Sequence, residues 1–351
     1  MAVRVTAVGV VAAAGVVSFA ALTDAPRAQC PDPFDFLRPS ITVSARDRQR
    51  IDNGEPVVRS LPASGREVAV LAAMSVTVDG DRLAAWMRQI EALKRGPNVP
   101  AVARFSNPPR LEDLAAHVLD EKDLDRLRQC RAGSCDLKLT SAEIARVAAG
   151  LSAAGREWKP EAQRVFRQVM LDRVNSYRAS GHVALGQYAD GHSDKPLAEV
   201  ARTLLDRSPY LIKHTPALVD YLRRYPNAAE PSRSEVFFYW STDRFGGRPV
   251  SNATHVSMLR PESGQPQVLV AGRQLFATHY QNGSLSLTLL LRGCTGSTNY
   301  LVYVSRSEVD VIRGVIGWLA RNIIEGRVEE EATQILAGLR TRLSHPPPAG
   351  P

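Results

Sequence analysis

The sequence is poor in cysteine and in aromatic residues, and the shortage of cysteine excludes one class of protein. Only four of its 351 residues are cysteines, which excludes a disulfide-dense miniature scaffold. With 44% hydrophobic and 23% charged residues, wholesale disorder and collagen-like repeats are excluded as well. The chain is longer than a typical domain, so we expect two domains, or one large domain with an insertion.

Several catalytic and metal-binding signatures are also missing from the sequence. It contains no Gly-x-Ser-x-Gly elbow, no phosphate-binding loop and no His-Glu-x-x-His motif. Its histidines show no metal-ligand spacing, and the acidic run at 120–125 lacks the glycine and the terminal glutamate of a calcium loop. The sequence therefore predicts neither a metal site nor a cofactor.

Long basic runs are absent too, although the formal net charge is +8. The basic residues are mostly arginines, and they are scattered among acidic residues along predicted helices. This pattern is typical of solvated helix faces, so we expect no nucleic-acid partner. Loose association with anionic membrane surfaces stays open.

An uncharged, mostly apolar run extends from Val5 to Leu22, with Arg4 before it and Asp24 after it. This layout predicts a secretory signal peptide over residues 1–28. An uncleaved N-terminal anchor and a buried first helix are the alternatives. We expect an exported protein, periplasmic or extracellular, or one tethered just outside the cytoplasmic membrane.

Cys130 and Cys135 enclose Arg-Ala-Gly-Ser, in which Ala132 to Ser134 can turn tightly enough to bring the two sulfurs together. In an oxidising compartment this spacing predicts a local disulfide. It is not the Cys-x-x-Cys spacing of a thioredoxin-like redox site. The sequence leaves the pairing of Cys30 and Cys294 open, because four cysteines allow three pairings.

The body of the chain divides into two regions and a tail. Residues 29–232 combine a lead-in strand, Arg66 to Val78, with a mainly helical region. Two signals mark helix starts there: Ser44 as an N-cap, and Thr140 to Glu143 as a capping box. Residues 233–344 form an antiparallel meander with a closing helix, and 345–351 are a Pro-rich tail that we expect to be disordered.

The meander is predicted from short β-branched and aromatic runs separated by turn residues. Gly272 separates two of these strands, and Asn282-Gly283 is a hairpin signal. Ser305 to Glu308 is a second capping box, which we expect to open a long amphipathic helix. The predicted fold class is α+β, with an antiparallel sheet wrapped around a long C-terminal helix and a mainly helical N-terminal region or insertion.

This order of elements resembles the START-like, or helix-grip, superfamily. The likeness rests on the strand at Arg66 to Val78 with the helices that follow it, on the meander from Val236 to Val304, and on the closing helix. It covers best the final ~110 residues. The resemblance implies a lipid-, sterol- or polyketide-binding cavity between sheet and helix, and no universal catalytic residues. The helical block Pro109 to Pro231 departs from the minimal pattern as a large insertion.

Side chains with an apolar body and a polar tip suit the wall of such a cavity. His255, His279 and Tyr280 fall in predicted strands and can point into one cavity if those strands are neighbours. The ligand-binding candidates are Tyr239, Trp240, His255, His279, Tyr280, Tyr300 and Trp318, with Tyr303 also on the meander. We expect an exported cell-envelope protein that binds an apolar or amphipathic small molecule or lipid. The alternative is an envelope hydrolase or lyase that uses His255, His279 and Tyr280.

Overall fold

One open antiparallel sheet of eight strands organises the part of the chain that the structure, a computed structural model, describes: residues 30–245, 248–261, 264–294, 297–310, 312 and 317–348. The predicted signal peptide at 1–28 lies outside these residues. The strands are β1 Val57–Ser60, β2 Glu67–Val76, β3 Ala101–Arg104, β4 Ser234–Phe245, β5 Arg248–Leu259, β6 Val268–Ala277, β7 Gln281–Arg292 and β8 Asn299–Val309. Their order is β1-β2-β8-β7-β6-β5-β4-β3.

The helices lie before β1, in the connections from β2 to β3 and from β3 to β4, and after β8. They are α1 Ala45–Asp52, α2 Gly80–Arg88, α3 Ile90–Lys94, α4 Glu121–Gln129, α5 Ser141–Ala154, α6 Trp158–Ser180, α7 Leu197–Asp206, α8 Pro209–His214, α9 Pro216–Arg224 and α10 Gly317–Leu343. The predicted N-cap at Ser44 and the capping box at Thr140 are confirmed at the starts of α1 and α5. The predicted α+β class, with an antiparallel sheet and a mainly helical region before it, is confirmed.

The lead-in strand and the meander share this sheet, because β2 pairs with β8 and β3 pairs with β4. Asp32–Pro351 is accordingly one compact unit. Of the preceding unit, Met1–Pro31, the structure describes Cys30 and Pro31.

Side chains alternate across each strand, so the sheet has two different faces. Helices α4 to α9 cover one, which we call the helical face, where Trp240, Phe276 and Leu289 are fully buried. The other, which we call the cavity face, packs Val70, Val256 and their neighbours against α2, α3 and α10. The described α10 side chains in that cluster lie in its C-terminal part, Ala332, Leu336, Leu339 and Leu343. That the sheet grips a long helix stays a prediction.

Two predicted turns lie inside strands instead. Gly272 is within β6, where a Cβ would come 2.6 Å from the Ser286 hydroxyl, so the residue serves close packing rather than a turn. Gly283 is within β7, where a Cβ would come 2.9 Å from Val200 of α7. The chain reverses just before, at Tyr280, which has a φ of 64°.

The second predicted capping box is also strand. Ser305 to Glu308 belongs to β8, which pairs with β2 on one side and β7 on the other. Arg306 there donates to the buried Glu67 carboxylate across the β2–β8 pair at 2.7 Å. Pairing on both sides outweighs a local capping signal, because it satisfies the same backbone groups in a buried setting.

At both edges of the sheet, side chains form hydrogen bonds with backbone groups of the edge strand. On β1, Glu329 accepts from the backbone N–H of Ser60 at 2.8 Å. On β3, Glu91 accepts from the N–H of Arg104 at 2.8 Å, and Arg95 donates to the Val102 carbonyl at 3.2 Å. These contacts occupy edge groups that could otherwise pair with another chain.

The predicted Cys130–Cys135 disulfide is present, with the two Cα atoms 4.4 Å apart. Backbone hydrogen bonds between Arg131 and Ser134 close the turn, and Gly133 takes a φ of 84° that favours glycine. This disulfide bond indicates an oxidising, exported environment. No helix in the described ranges is long and apolar enough to cross a membrane.

We expect the Cys130→Ser/Cys135→Ser double variant to lower the melting temperature only modestly. The bridge closes a short loop, so it should contribute less than the ~3 kcal/mol of a fifteen-residue loop. Thermal unfolding followed by circular dichroism measures this. Since Cys130 and Cys135 are 3% and 5% exposed, thiol labelling of the native protein should modify neither. Free labelling of both without reductant would contradict the bridge.

Candidate functional site

A polar cavity of about 170 Å³ lies on the cavity face of the sheet. Five strands, β4 to β8, supply most of its wall, and α3 contributes its last residue, Lys94. Hydroxyl and amide side chains predominate among the lining residues: Ser241, Asn252, Thr254, Gln274, Gln281, Ser284, Ser286, Ser305 and Ser307. The remaining lining residues include Asp243, His279 and three tyrosines, Tyr239, Tyr280 and Tyr303.

A ladder of hydrogen-bonded side chains crosses four strands in this wall. Asn252 of β5 donates to Asp243 Oδ2 of β4 at 2.9 Å. Gln274 of β6 donates to Asn252 Oδ1 at 2.8 Å and to Gln281 Oε1 of β7 at 2.6 Å. Each amide thus fixes the orientation of the next, and the wall presents a defined set of donors and acceptors.

Two buried polar atoms in the wall have no hydrogen-bond partner among the described residues. They are the hydroxyl of Ser241, a residue that is 1% exposed, and Oδ1 of Asp243. Ser241 and Asp243 are two residues apart on β4, so both side chains point to the cavity face. Leaving a buried polar group unpaired costs about 1–3 kcal/mol, which makes these atoms candidates for contact with a ligand.

Lys94 supplies a positive charge beside these groups. Its ammonium lies 5.4 Å from the centre of the Tyr239 ring. Burial lowers the pKa of Lys94, but attraction to Tyr239, Asp243 and Tyr303 outweighs burial and raises the pKa above its usual value. Burial raises the pKa of Tyr303, so its hydroxyl stays a hydrogen-bond donor at neutral pH. The site therefore holds a cation, a carboxylate and phenols around one space.

The structure brings together some of the predicted ligand-binding residues and separates others. Tyr239, His279 and Tyr280 line the cavity. Trp240 and His255 are buried on the helical face, in the clusters around α6, and Tyr300 packs there against Phe34. The strand period of two explains this separation, since Trp240 directly follows Tyr239. The side chain of Trp318 lies outside the described residues.

His279 sits at one end of the cavity and is already engaged. Its Nδ1 lies 3.0 Å from the Asp136 carbonyl, and its Nε2 lies 2.9 Å from Asp123 Oδ2. Arg248 also contacts Asp123, at 3.0 Å. These contacts hold the imidazole in place between the sheet and α4, at one end of the cavity.

His255 is enclosed by aromatic rings on the helical face. Tyr177 bonds to its Nδ1 at 2.8 Å, and Phe238 stacks on the ring with centroids 4.7 Å apart. Burial, with repulsion from Arg273, lowers the pKa of His255 to about 3. The hydrolase or lyase alternative needs His255, His279 and Tyr280 around one substrate, but His255 does not line the cavity that His279 and Tyr280 share.

A second, more apolar groove of about 340 Å³ lies beside β1. Ile41, Val57 and Leu71 contribute to its wall, and Arg59 pairs with Asp47 there. It contains none of the unpartnered buried polar atoms found among the described residues. We therefore place the candidate site in the polar cavity.

Sequence reasoning missed the residues that define the site: Lys94, Ser241, Asp243, Asn252 and Gln274. The signal was available in β4, where Tyr239, Ser241 and Asp243 alternate with larger or buried side chains. The candidates in the strands were chosen for their aromatic rings, so the polar side chains that share one face of β4 were not recognised. In the described ranges, no group of three or more His, Cys, Asp or Glu side chains is arranged to hold a metal ion.

The sequence matches no protein-family model and no curated protein.

The buried histidines predict acid destabilisation. Burial, with repulsion from Arg167, lowers the pKa of His117 to about 3, as for His255. In the unfolded chain each imidazole titrates near its ordinary value, so the unfolded state binds more protons between about pH 3 and pH 6.5. The free energy of unfolding should therefore fall as the pH drops below 6.5, by about 2 kcal/mol per histidine at pH 5.

Urea unfolding at pH 8 and pH 5 measures this difference. His255→Gln should reduce the loss between the two pH values by about 2 kcal/mol, because the titrating group is gone. Tyr221→Phe, which keeps the ring beside His255 but removes a hydroxyl 3.5 Å from Nε2, is the control and should keep the full loss. An unchanged loss in His255→Gln would contradict the assignment.

Proposed function

We propose that this protein binds a small amphipathic molecule in the polar cavity, outside the cytoplasm. The observation that carries the proposal is a pair of buried atoms in the cavity wall that have no partner in the described part of the chain, the Ser241 hydroxyl and Asp243 Oδ1. A binding site is typically a concave space with a few polar groups placed to fix the orientation of its ligand.

The polar part of the ligand would meet β4 and Lys94. A donor on the ligand satisfies Asp243 Oδ1, and an acceptor or anionic group suits the Lys94 ammonium. Hydrogen bonds to charged groups contribute about 1.5–3 kcal/mol each, so these two contacts are large enough to determine which ligands bind.

The less polar part of the ligand would lie against the tyrosines. Tyr239 belongs both to the cavity wall and to the apolar cluster beneath α2 and α3. Tyr303 is 36% exposed, a large exposed aromatic surface next to hydroxyl-bearing strands. Aromatic faces beside hydrogen-bonding tips accommodate ligands of mixed polarity.

The resemblance to the helix-grip superfamily supports the same location. Strand β2, helices α2 and α3, strands β4 to β8 and the closing helix α10 follow one another in the order on which the resemblance rests, with β3 and a helical insertion between α3 and β4. In this proposal the sheet grips α10, and the cavity lies on the same face of the sheet as that helix. The insertion covers the opposite, helical face and leaves the cavity wall to the meander.

An extracytoplasmic location agrees with the disulfide. The Cys130–Cys135 bridge needs an oxidising compartment, and residues 1–28 would direct the chain there as a signal peptide. The protein would act as a binding protein of the cell envelope, free or at the membrane surface.

Native mass spectrometry of protein purified from the cell envelope tests the proposal. We expect a co-purifying small molecule of mixed polarity that is released on denaturation. Asp243→Asn and Ser241→Ala each remove a wall contact, so the fraction of protein that carries the molecule should fall. For Asp243→Asn, which removes the charged contact, the affinity should fall by about tenfold or more.

Asp220→Asn is the matched control, because Asp220 lies exposed on α9, outside the cavity lining. It should retain the bound molecule. Binding of the amphipathic sulfonate fluorophore ANS to the protein freed of its ligand gives a second measurement. The ANS affinity should fall in Asp243→Asn and Ser241→Ala and stay unchanged in Asp220→Asn. A protein that carries no small molecule, together with ANS fluorescence equal in all variants, would contradict the proposal.

A further inference from the structure

A buried lysine lies at the junction of the helical region and the sheet, away from the cavity. Lys138 follows the disulfide loop and is 1% exposed. Its Nζ lies 2.8 Å from each of three oxygens: Asp190 Oδ2, Asn282 Oδ1 and Asp310 Oδ2. The four residues are far apart in sequence, so the fold itself assembles this cluster.

The carboxamide of Asn282 is held on both of its polar atoms. Ser193 Oγ donates to Asn282 Oδ1 at 2.8 Å. Asn282 Nδ2 donates to Glu308 Oε1 at 3.2 Å. The residue is 4% exposed, and it directly precedes the glycine that packs against α7. An amine, a carboxamide and carboxylates are thus fixed together in a site with little access for water.

We propose that Lys138 and Asn282 form an intramolecular isopeptide bond. The lysine amine is the nucleophile, the asparagine side chain is the acyl group, and ammonia is the leaving group. No cofactor or oxidant is needed, because the reaction exchanges one amide for another.

The roles of the neighbouring groups follow from their contacts. Lysine attacks only as the neutral amine, so a carboxylate must first accept its proton. Asp190 accepts two backbone N–H groups as well, from His192 and Ser193 at 2.8 Å each. Burial raises the pKa of Asp190, but Lys138 and these amides outweigh burial and lower the pKa. Among the described residues, Asp310 accepts no such pair of backbone N–H groups. We therefore assign Asp310, rather than Asp190, as the group that accepts the first proton of Lys138.

The step balances in atoms and charge. The Lys138 ammonium gives one proton to Asp310, and the neutral Nζ forms a bond to Cγ of Asn282. Negative charge develops on Oδ1, where the Ser193 hydroxyl stabilises it. Nζ gives its second proton to Asp190, whose Oδ2 lies 2.8 Å away, Asp310 returns its own proton to Nδ2, and the Cγ–Nδ2 bond breaks. The released ammonia takes the proton from Asp190 and leaves as ammonium, and a neutral amide remains.

The bond would tie the loop between α4 and α5 to the start of β7. That loop is already held to the sheet, since the Lys138 N–H donates to the Thr278 carbonyl at 3.0 Å. None of the four residues of this cluster lines the cavity, although the neighbouring positions 279–281 do. The isopeptide proposal is therefore independent of the ligand-binding proposal.

A tryptic peptide map of the exported wild-type protein tests the bond directly. We expect a branched peptide that joins residues 132–146 to residues 274–292, with trypsin unable to cut after Lys138. Its mass should be about 17 Da below the sum of the two peptides, the mass of one ammonia. Linear peptides 132–138 and 274–292 of unmodified mass would overturn the proposal, and this measurement needs no variant.

Variants then assign the roles. Lys138→Arg keeps the charge but removes the nucleophile, so the branched peptide should disappear. Asp310→Asn should lower its yield by at least about tenfold in freshly made protein, because the proton carrier is lost. Asp206→Asn, an exposed aspartate on α7, is the matched control and should form the full yield. A full yield in Asp310→Asn would overturn the role given to Asp310.

Discussion

The contacts that Lys138 Nζ makes as the chain folds are the ones on which the placement of the helical region on the sheet depends. Its three oxygen partners come from the loop before α7, from the start of β7 and from the end of β8. A buried charge is tolerated only when it is paired and hydrogen-bonded, so these segments can vary little in position. The helical region is thereby fixed on the sheet close to where β7 and β8 meet it. Removing one partner would leave the remaining charges uncompensated in a nearly dry site.

The same sheet separates two chemical environments. On the helical face, Trp240, His255 and Phe276 are buried among helices, and their polar atoms bond to neighbouring side chains or to the backbone. On the cavity face, β4 to β8 expose amides and hydroxyls to a space that the described helices only partly fill. The helical region between β3 and β4 thus stabilises the sheet from one side without filling the cavity on the other.

Local signals in the sequence predicted the helices well and the strand connections less well. Ser44 and Thr140 act as caps because each side chain accepts from a backbone N–H three residues away, a contact that needs no other part of the fold. Gly272, Asn282-Gly283 and Ser305 to Glu308 carried equally local signals, yet all lie within strands. There the neighbours that decide the outcome are Ser286, Val200 and Glu67, which are remote in sequence or on other strands. Among the site residues, Tyr239, His279 and Tyr280 were predicted from their chemistry alone, whereas Lys94 and Asp243 were not.

The sequence by itself determined the α+β class, the run of helices between β3 and β4, the meander and the short disulfide loop. These features depend on period, on caps and on near neighbours along the chain. Only the tertiary structure decided which residues share a face, because a strand sends Tyr239 and Trp240 to opposite sides and pairing fixes which side is which. It also decided that, among the described residues, the Ser241 hydroxyl and Asp243 Oδ1 lack a hydrogen-bond partner while Lys138 Nζ has three. Partners of that kind come from segments dozens of residues away, and no local pattern records their distance.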